Sequence, residues 1–399
     1  MIKLTFLGDI MFDNNAAREL WLYKDRETGC YDFSDTFQGL RGLIKDSDYV
    51  IGNLETPISK DEQQLTNKQW EFCSPFEFAD AIKKCGVDCV STANNHCLDR
   101  GIAGIESTID CLEKIGLEYC GIHKPNEKRR KKLLVTIRGV KFGILSYTYG
   151  TNAISNQQYL GVHNRRCVDL LQEQEGAIAR HDRWLWYTRK HPRSIMARLR
   201  YKFDALFYSE NNNKQWFEKI TFNRYRLLLL KKDIIELKRS GADFVIMCMH
   251  IGGQYNESPS AYTKRMANWL HRHHCDIVIA NHEHVIHGSD WKGKKEFTAY
   301  ALGNCLGSAG TLHEPYNRLS NYSIAVHLWI DEKKEISKIT FSVLKSILND
   351  EGKFEVWPVW NLLEKCDDTE REKLIIDCTA AVNLFSGKNY QSIAEEYEL

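Results

Sequence analysis

Five segments of this 399-residue sequence end an apolar run on polar groups able to hold a cation. Gly8-Asp9 follows Lys3–Leu7, Gly52-Asn53-Leu54-Glu55 follows Tyr49–Ile51, and Asn94-Asn95-His96 follows Cys89–Ser91. His250 follows Phe244–Met249, and His282-Glu283-His284 follows Asp276–Ala280. Open α/β sheets place their chemistry in loops at the carboxyl ends of strands. If the five strands lie side by side, carboxylates, an amide and imidazoles converge. Hard oxygen donors mixed with imidazoles, without thiolates, suit Mn, Fe or Zn better than a structural cysteine site. Two carboxylates, one able to bridge, and at least three histidines suffice for two ions about 3.5–4 Å apart, which activate water and clamp a phosphoryl oxygen.

Each segment also has a plainer reading. Asp9 could cap a following helix, Glu55 could face solvent, and Asn94, Asn95 and His96 could form a turn network. His-x-His at 282 and 284 could satisfy itself on turn carbonyls. His287 could reach a substrate or complete its turn, and Asp99 with Arg100 could pair locally. His271, His273 and His274 precede a strand at its amino end, the wrong edge for the site, and belong to surface and packing. His123, His163, His181, His191, His313 and His327 receive no role. Asn304 reads as structural, behind the site.

The elements that must position these groups follow βαβ grammar. Helices are expected at Phe76–Cys85, Gly104–Ile115, Ala261–His271 and Thr369–Phe385, and strands at Glu296–Leu302, Tyr322–Ile330, Ile336–Val343 and Glu355–Pro358. Lys132–Ile137 and Lys141–Ser146 form a hairpin turning at Arg138 and Gly139, so the sheet is expected to be mixed. Residues 166–240 break this rhythm. They are helical in period, rich in Arg, Trp and Tyr, and from Arg180 to Arg239 hold sixteen Lys and Arg against six Asp and Glu. Such a segment is either a helical cap, with Trp184, Trp186, Tyr187, Phe203, Phe207 and Tyr208 packed inward, or a surface for an anionic polymer. Peripheral membrane contact through 180–239 is a further option. No nucleic-acid-binding fold supports a nucleic-acid partner.

Composition bounds the class. With 43% apolar and 27% charged residues and a formal charge of +1, this is an ordinary globular chain with no global preference for polyanions. Thirteen scattered cysteines without a CxxC do not make a disulfide framework and favour a reducing compartment. The N-terminal apolar stretch is too short for a signal peptide and contains Asp9, and no run of eighteen apolar residues occurs. A cytoplasmic location is expected.

Taken together, GDIMF (8–12), GNLETPIS (52–59), ANNHCLDRG (93–101), MHIGGQY (249–255), NHEHVIHG (281–288) and YALGNCLGS (300–308) closely resemble the CapA family of capsule and poly-gamma-glutamate synthesis proteins. That domain is similar to the calcineurin-like metallophosphoesterases. The resemblance implies an α/β fold, a four-layer αββα sandwich with a helical basic and aromatic insertion. Its halves would be residues 1–165 and 241–330, separated by the cap at 166–240, with 331–399 adding strands and a helix. It further implies that Asp9 and His284 bind metal 1, that Glu55 bridges, and that Asn95, His250 and His282 bind metal 2. His96 would contact the scissile phosphate and assist the leaving group, so the catalytic set is His96, Asn95 and Glu55. Met11 stands where ordinary phosphoesterases have a histidine ligand, which leaves metal 1 an imidazole short. The run at 281–284 departs from the usual pattern before the last histidine. The N-terminal anchor or export signal common among relatives has no match. The expected activity is hydrolysis of a phosphate ester, mono- or diester, by metal-activated water. The alternative is a component of poly-gamma-glutamate or cell-envelope polymer synthesis that binds an anionic polymer without hydrolysis.

Overall fold

A computed structural model of the protein describes residues 1–12, 20–65, 71–125, 127, 132–161, 163–172, 174, 195, 222–307 and 318–399. In chain order its strands are β1 (Ile2–Ile10), β2 (Tyr49–Leu54), β3 (Ile58–Ser59), β4 (Ser74–Pro75), β5 (Cys89–Ser91), β6 (Glu118–Cys120), β7 (Leu133–Ile137), β8 (Val140–Thr148) and β9 (Phe244–His250). They continue as β10 (Ile277–Asn281), β11 (Ser289–Lys292), β12 (Glu296–Ala299), β13 (Asn304–Leu306), β14 (Tyr322–Ile330), β15 (Ile336–Leu348), β16 (Phe354–Pro358) and β17 (Tyr397–Glu398). The helices are α1 (Gln38–Ile44), α2 (Phe76–Cys85), α3 (Gly101–Ile115), α4 (Ala153–Asn156), α5 (Phe222–Arg239), α6 (Ala261–Arg272), α7 (Val359–Leu362) and α8 (Asp368–Ser386).

The strands form two large mixed sheets. The first runs β16-β15-β14-β1-β2-β5-β6, with β13 beside β1 and β17 beside β15. The second runs β11-β12-β10-β9-β8-β7. β1, β2, β5 and β6 are parallel, as are β8, β9, β10 and β12, so within each set the carboxyl ends share one edge. The hairpin β7–β8 turns at Arg138 and Gly139, both at positive φ (47° and 84°), the conformation that keeps a two-residue turn in step with strand twist.

Burial explains why the site-bearing strands read as unbroken apolar runs. One cluster takes Leu4, Phe6, Ile51 and Cys89 from the first sheet together with Phe142, Ile144, Ile246 and Ile279 from the second. The first sheet's remaining side chains, such as Leu7, Ile10 and Val50, pack with Leu40, Phe78 and Ile105 of α1, α2 and α3. Those of the second, such as Leu145, Val245 and Val278, pack with Leu230 and Leu237 of α5 and Met266 and Leu270 of α6. α8 buries Leu374, Cys378 and Phe385 in the first of these clusters. The stretch beginning at Arg166 is tied to the chain just after β6 and to the end of β8, since Ile122 bridges Val168 and Thr148 bridges Leu170. The expected aromatic cap residues, Trp184, Trp186, Tyr187, Phe203, Phe207 and Tyr208, lie outside the described residues, as does most of the basic segment 180–239.

One expected element divides. Glu296–Leu302 reads as a single strand, but β12 stops at Ala299 and the chain leaves the second sheet to pair with the first through β13. The crossing turns on Gly303, at φ 78°, whose carbonyl accepts the N–H of Asp9 at 2.9 Å. Gly8 permits this approach, because a Cβ there would lie 2.0 Å from Gly303 O. That oxygen is backbone and cannot swing aside. Gly8→Ala is therefore expected to destabilise the fold by at least the ~1–3 kcal/mol of ordinary overpacking, measured as a lower urea midpoint at unchanged slope.

Candidate metal centre

The two sheets bring the flagged side chains to one place. Asp9 comes from the end of β1, Glu55 directly follows β2, and Asn95 and His96 follow β5. From the second sheet, His250 closes β9, and His282 and His284 follow β10. Ligand atoms of Asp9, Glu55 and His250 lie within 4.8 Å of one another, and so do those of Glu55, His282 and His284. Glu55 is common to both groups, while His250 falls with Asp9 and His284 with His282, the reverse of the pairing that the resemblance implies for these two histidines. All five residues are buried.

Contacts around these residues fix their orientation. Asn53 Nδ2 donates to Asp9 Oδ1 at 2.7 Å and lies 3.4 Å from His250 Nδ1, while Ser91 Oγ donates to Asn53 Oδ1. His250 Nε2 lies 2.8 Å from Asn95 Oδ1 and 3.4 Å from Glu55 Oε1. His284 Nδ1–H donates to Asn304 Oδ1 at 2.9 Å, leaving Nε2 toward Glu55 at 3.9 Å. Asn304 is the register partner of Asp9, so the sheet crossing at Gly303 is what delivers it. His282 (φ 103°) and His284 (φ 56°) occupy backbone conformations that L-residues rarely adopt, strain of the kind found at functional sites. The His282 N–H donates to Asp9 Oδ2 at 3.2 Å, and Tyr149 lies 4.6 Å from its ring.

Electrostatics set the two carboxylates apart. Burial, and then the adjoining Glu55, push the Asp9 carboxyl well above its usual range. Burial alone would raise Glu55 too, but the charges of His250 and His284 outweigh it and hold that carboxyl low. Burial, with the neighbouring His250, keeps His282 neutral. Both oxygens of Glu55, Nδ2 of Asn95 and Nδ1 of His282 are buried without a hydrogen-bond partner. A buried carboxylate with no donor is costly unless a cation compensates it. The donor set, oxygen and imidazole nitrogen, suits a divalent ion.

His96 sits beside these groups in its own frame. Its Nδ1–H donates to Asp99 Oδ2 at 2.7 Å, and Phe72 stacks on the ring with centroids 3.7 Å apart and planes 8° apart. The Phe72 N–H donates to the same Asp99 oxygen at 2.7 Å, and Asn156 Nδ2 donates to Oδ1 at 3.0 Å. The local pairing of Asp99 is thus with His96, while Arg100 pairs with Glu71 at 2.9 Å.

Other residues are placed away from the ligands. His287 donates to Asn256 O at 2.9 Å and Glu283 accepts from Gly253 N and Asn256 Nδ2, so both brace the loop after β9. Met11 is buried, and a Cβ on Gly307 would meet its side chain at 3.2 Å. Asp13 lies outside the described residues. His271 bonds Cys275 O and Thr298 Oγ1, and His273 stacks on Trp269, packing roles as expected. Phe72 and Asn152 were not singled out by sequence reasoning, and Asn53 was marked but given no role at this site. Asn53, inside the GNLE segment already marked, is the one a closer reading of spacing could have found.

A buried oxygen and imidazole cluster at the shared carboxyl edges of two mixed α/β sheets defines a candidate metal-binding α/β protein. The chain belongs to the bacterial capsule synthesis protein PGA_cap family, which matches residues 3–309. It is similar to the capsule biosynthesis protein CapA of Bacillus anthracis, with 23% identity over 326 residues, 81% of this chain and 64% of that protein. It is also similar to the PGA biosynthesis protein CapA of Bacillus subtilis (strain 168), with 21% identity over 327 residues, 81% of this chain and 68% of that protein. The chain therefore spans about two thirds of these relatives' length. A solved hypothetical protein from Thermus thermophilus aligns over 90% of this chain and 99% of its own, at 11% identity and a TM-score of 0.39, a likeness that carries no argument. Among the described residues no helix is long and apolar enough to cross a membrane.

Proposed function

We propose that the chain is a metal-dependent component of capsule or poly-gamma-glutamate polymer production that engages an anionic chain at this centre. The observation that carries the reading is Glu55, whose two oxygens are fully buried and make no well-formed hydrogen bond, with only the longer contacts to His250 at 3.4 Å and His284 at 3.9 Å. Asp9, Glu55, Asn95, His250, His282 and His284 would hold one or two divalent ions, Mn, Fe or Zn. Such an ion supplies charge neutralisation and polarisation for an anionic oxygen. Asn53 and Asn304 orient Asp9, His250 and His284, and Tyr149 covers one side of His282. The relatives' names, biosynthesis of capsule and of PGA, support the polymer as partner. Thirteen unpaired cysteines support a reducing compartment, for which we infer the cytoplasm.

The packing of α1, α2 and α3 on one sheet and α5 and α6 on the other supports a four-layer αββα sandwich. Its halves would be 1–165 and 241–330, with the cap at 166–240 and the strands and helix of 331–399 as additions.

A second reading, hydrolysis of a phosphate ester, is favoured by His96. With its Nδ1 proton committed to Asp99 and one face covered by Phe72, the ring can exchange a proton only at Nε2, as a general acid at a leaving oxygen requires. Assays of p-nitrophenyl phosphate and bis(p-nitrophenyl) phosphate with and without Mn²⁺, set beside sedimentation with poly-gamma-glutamate, separate the readings. Polymer binding without turnover supports the first, turnover the second.

Metal titration tests the centre directly. The group of Asp9, Glu55 and His250 has a single imidazole where that of Glu55, His282 and His284 has two, so its ion should bind more weakly and tighten when inorganic phosphate is present. Metal-stripped protein titrated with Mn²⁺ while bound ions are counted should show one tight and one phosphate-dependent ion. Two equally tight ions without phosphate would require a ligand beyond this set.

A further inference from the structure

We propose that Asn152 is a substrate-contacting residue whose side-chain amide, together with Nδ2 of Asn95, seats one oxygen of an oxyanion held at the centre. The inference rests on the reading of that centre as a metal site for an anionic substrate. Asn152 stands at the start of α4 with φ 49° and ψ 31°, the position of a helix cap, yet its side chain makes no capping hydrogen bond. Instead its Nδ2 lies 3.4 Å from His96 Nε2, and Asn152 is only half-buried, open to a ligand from solvent.

The surroundings hold it there. Tyr149 N donates to His250 O at 3.0 Å, which ties the chain before Asn152 to the metal-side strand. Thr151 Oγ1 accepts from Gln174, and Asn156 Nδ2 donates both to Thr151 O and to Asp99 Oδ1. The turn that presents Asn152 is therefore fastened to the partner of His96 on one side and to the neighbour of His282 on the other. With Asp99 facing Nδ1 of His96, the amide of Asn152 faces Nε2 over a long contact. The second amide hydrogen has no acceptor among the described residues.

Asn95 offers a similar donor close by in sequence to His96. Its Oδ1 meets His250, and its Nδ2 is buried with no acceptor. Two neutral amide donors without a cation suit an anion whose charge is already balanced by a metal, because they add direction without adding charge. A phosphoryl group and a side-chain carboxylate both present such an oxygen. The plainer account is that Asn merely tolerates the left-handed turn, as Asn often does. It predicts no effect of the side chain on anion binding.

Isothermal titration of the Mn²⁺-loaded full chain with inorganic phosphate, and separately with glutarate, decides between them. Asn152→Gly and Asn152→Asp both tolerate positive φ, so the turn is kept while the amide is deleted or replaced by a repelling carboxylate. Loss of a hydrogen bond to a charged group predicts about 10-fold weaker binding for Asn152→Gly or more, and a larger loss for Asn152→Asp. Metal content by elemental analysis should equal that of the wild type. Whichever probe shows this ordering identifies the oxyanion as phosphoryl or carboxylate. Wild-type binding that survives unchanged in both variants overturns the seat and leaves the metal reading standing. Wild-type protein that binds neither probe overturns the seat and the anionic-substrate reading together.

Discussion

Protein carrying His250→Ala together with His282→Ala is expected to lose its bound transition metal while remaining folded. The two side chains close β9 and follow β10, neighbouring parallel strands, and their ring centroids lie 4.7 Å apart. Together the two substitutions remove one imidazole from each of the two groups that share Glu55. Removing an outer partner of a metal ligand typically costs about 10–100-fold in affinity, so removing two ligands should exceed that. The fold should survive, because each truncation takes a polar ring from a buried polar cluster and not a methyl-lined core position. Elemental analysis of the purified variant, with circular dichroism to confirm folding, is the check. Metal content equal to wild type in a folded double variant would remove His250 and His282 from the ligand set.

The second large effect is expected at His96. If the hydrolytic reading holds, His96→Ala should lower turnover by about 10²–10⁴-fold, the usual contribution of a positioned general acid, with metal content preserved. The reason is geometric. His96 Nδ1 is engaged by Asp99 at 2.7 Å, and the ring is clamped by Phe72 instead of sharing the Asp9, Glu55 and His250 group. Asp99→Asn is a useful companion, since it keeps the size of the side chain while removing the acceptor that holds the imidazole tautomer. It should lower turnover with little change in bound metal. Activity falling in direct proportion to metal content in His96→Ala would instead make His96 a ligand.

Local order was legible where burial imposes a pattern. β1, β5, β9 and β10 are covered on both faces, so their apolar runs are continuous and their ends fall where polarity returns. α2 was legible to the residue because Pro75 precedes it and Gly86, at φ 115°, stops it. The candidate ligands were legible for the same reason: a carboxylate or imidazole directly after a buried strand has little use except at a site. α1, β6 and β11 were not anticipated. They are short, and β11 is largely exposed, so neither length nor apolar periodicity marks them.

By itself, then, the sequence determined that this is an α/β chain, where its buried strands end, and which polar groups those ends carry. Tertiary structure alone decided which of those groups share a centre and how each is oriented. The Asp9 contact with His282 spans 273 positions, His250 meets Asn95 across 155, and His284 takes its tautomer from an Asn304 delivered by a change of sheet. A stacked ring such as Phe72 on His96 leaves no trace in periodicity. Strand periodicity follows from each residue's own burial and can be read locally. Contacts of this second kind depend on the relative placement of sheets, which apolar packing of the whole chain sets.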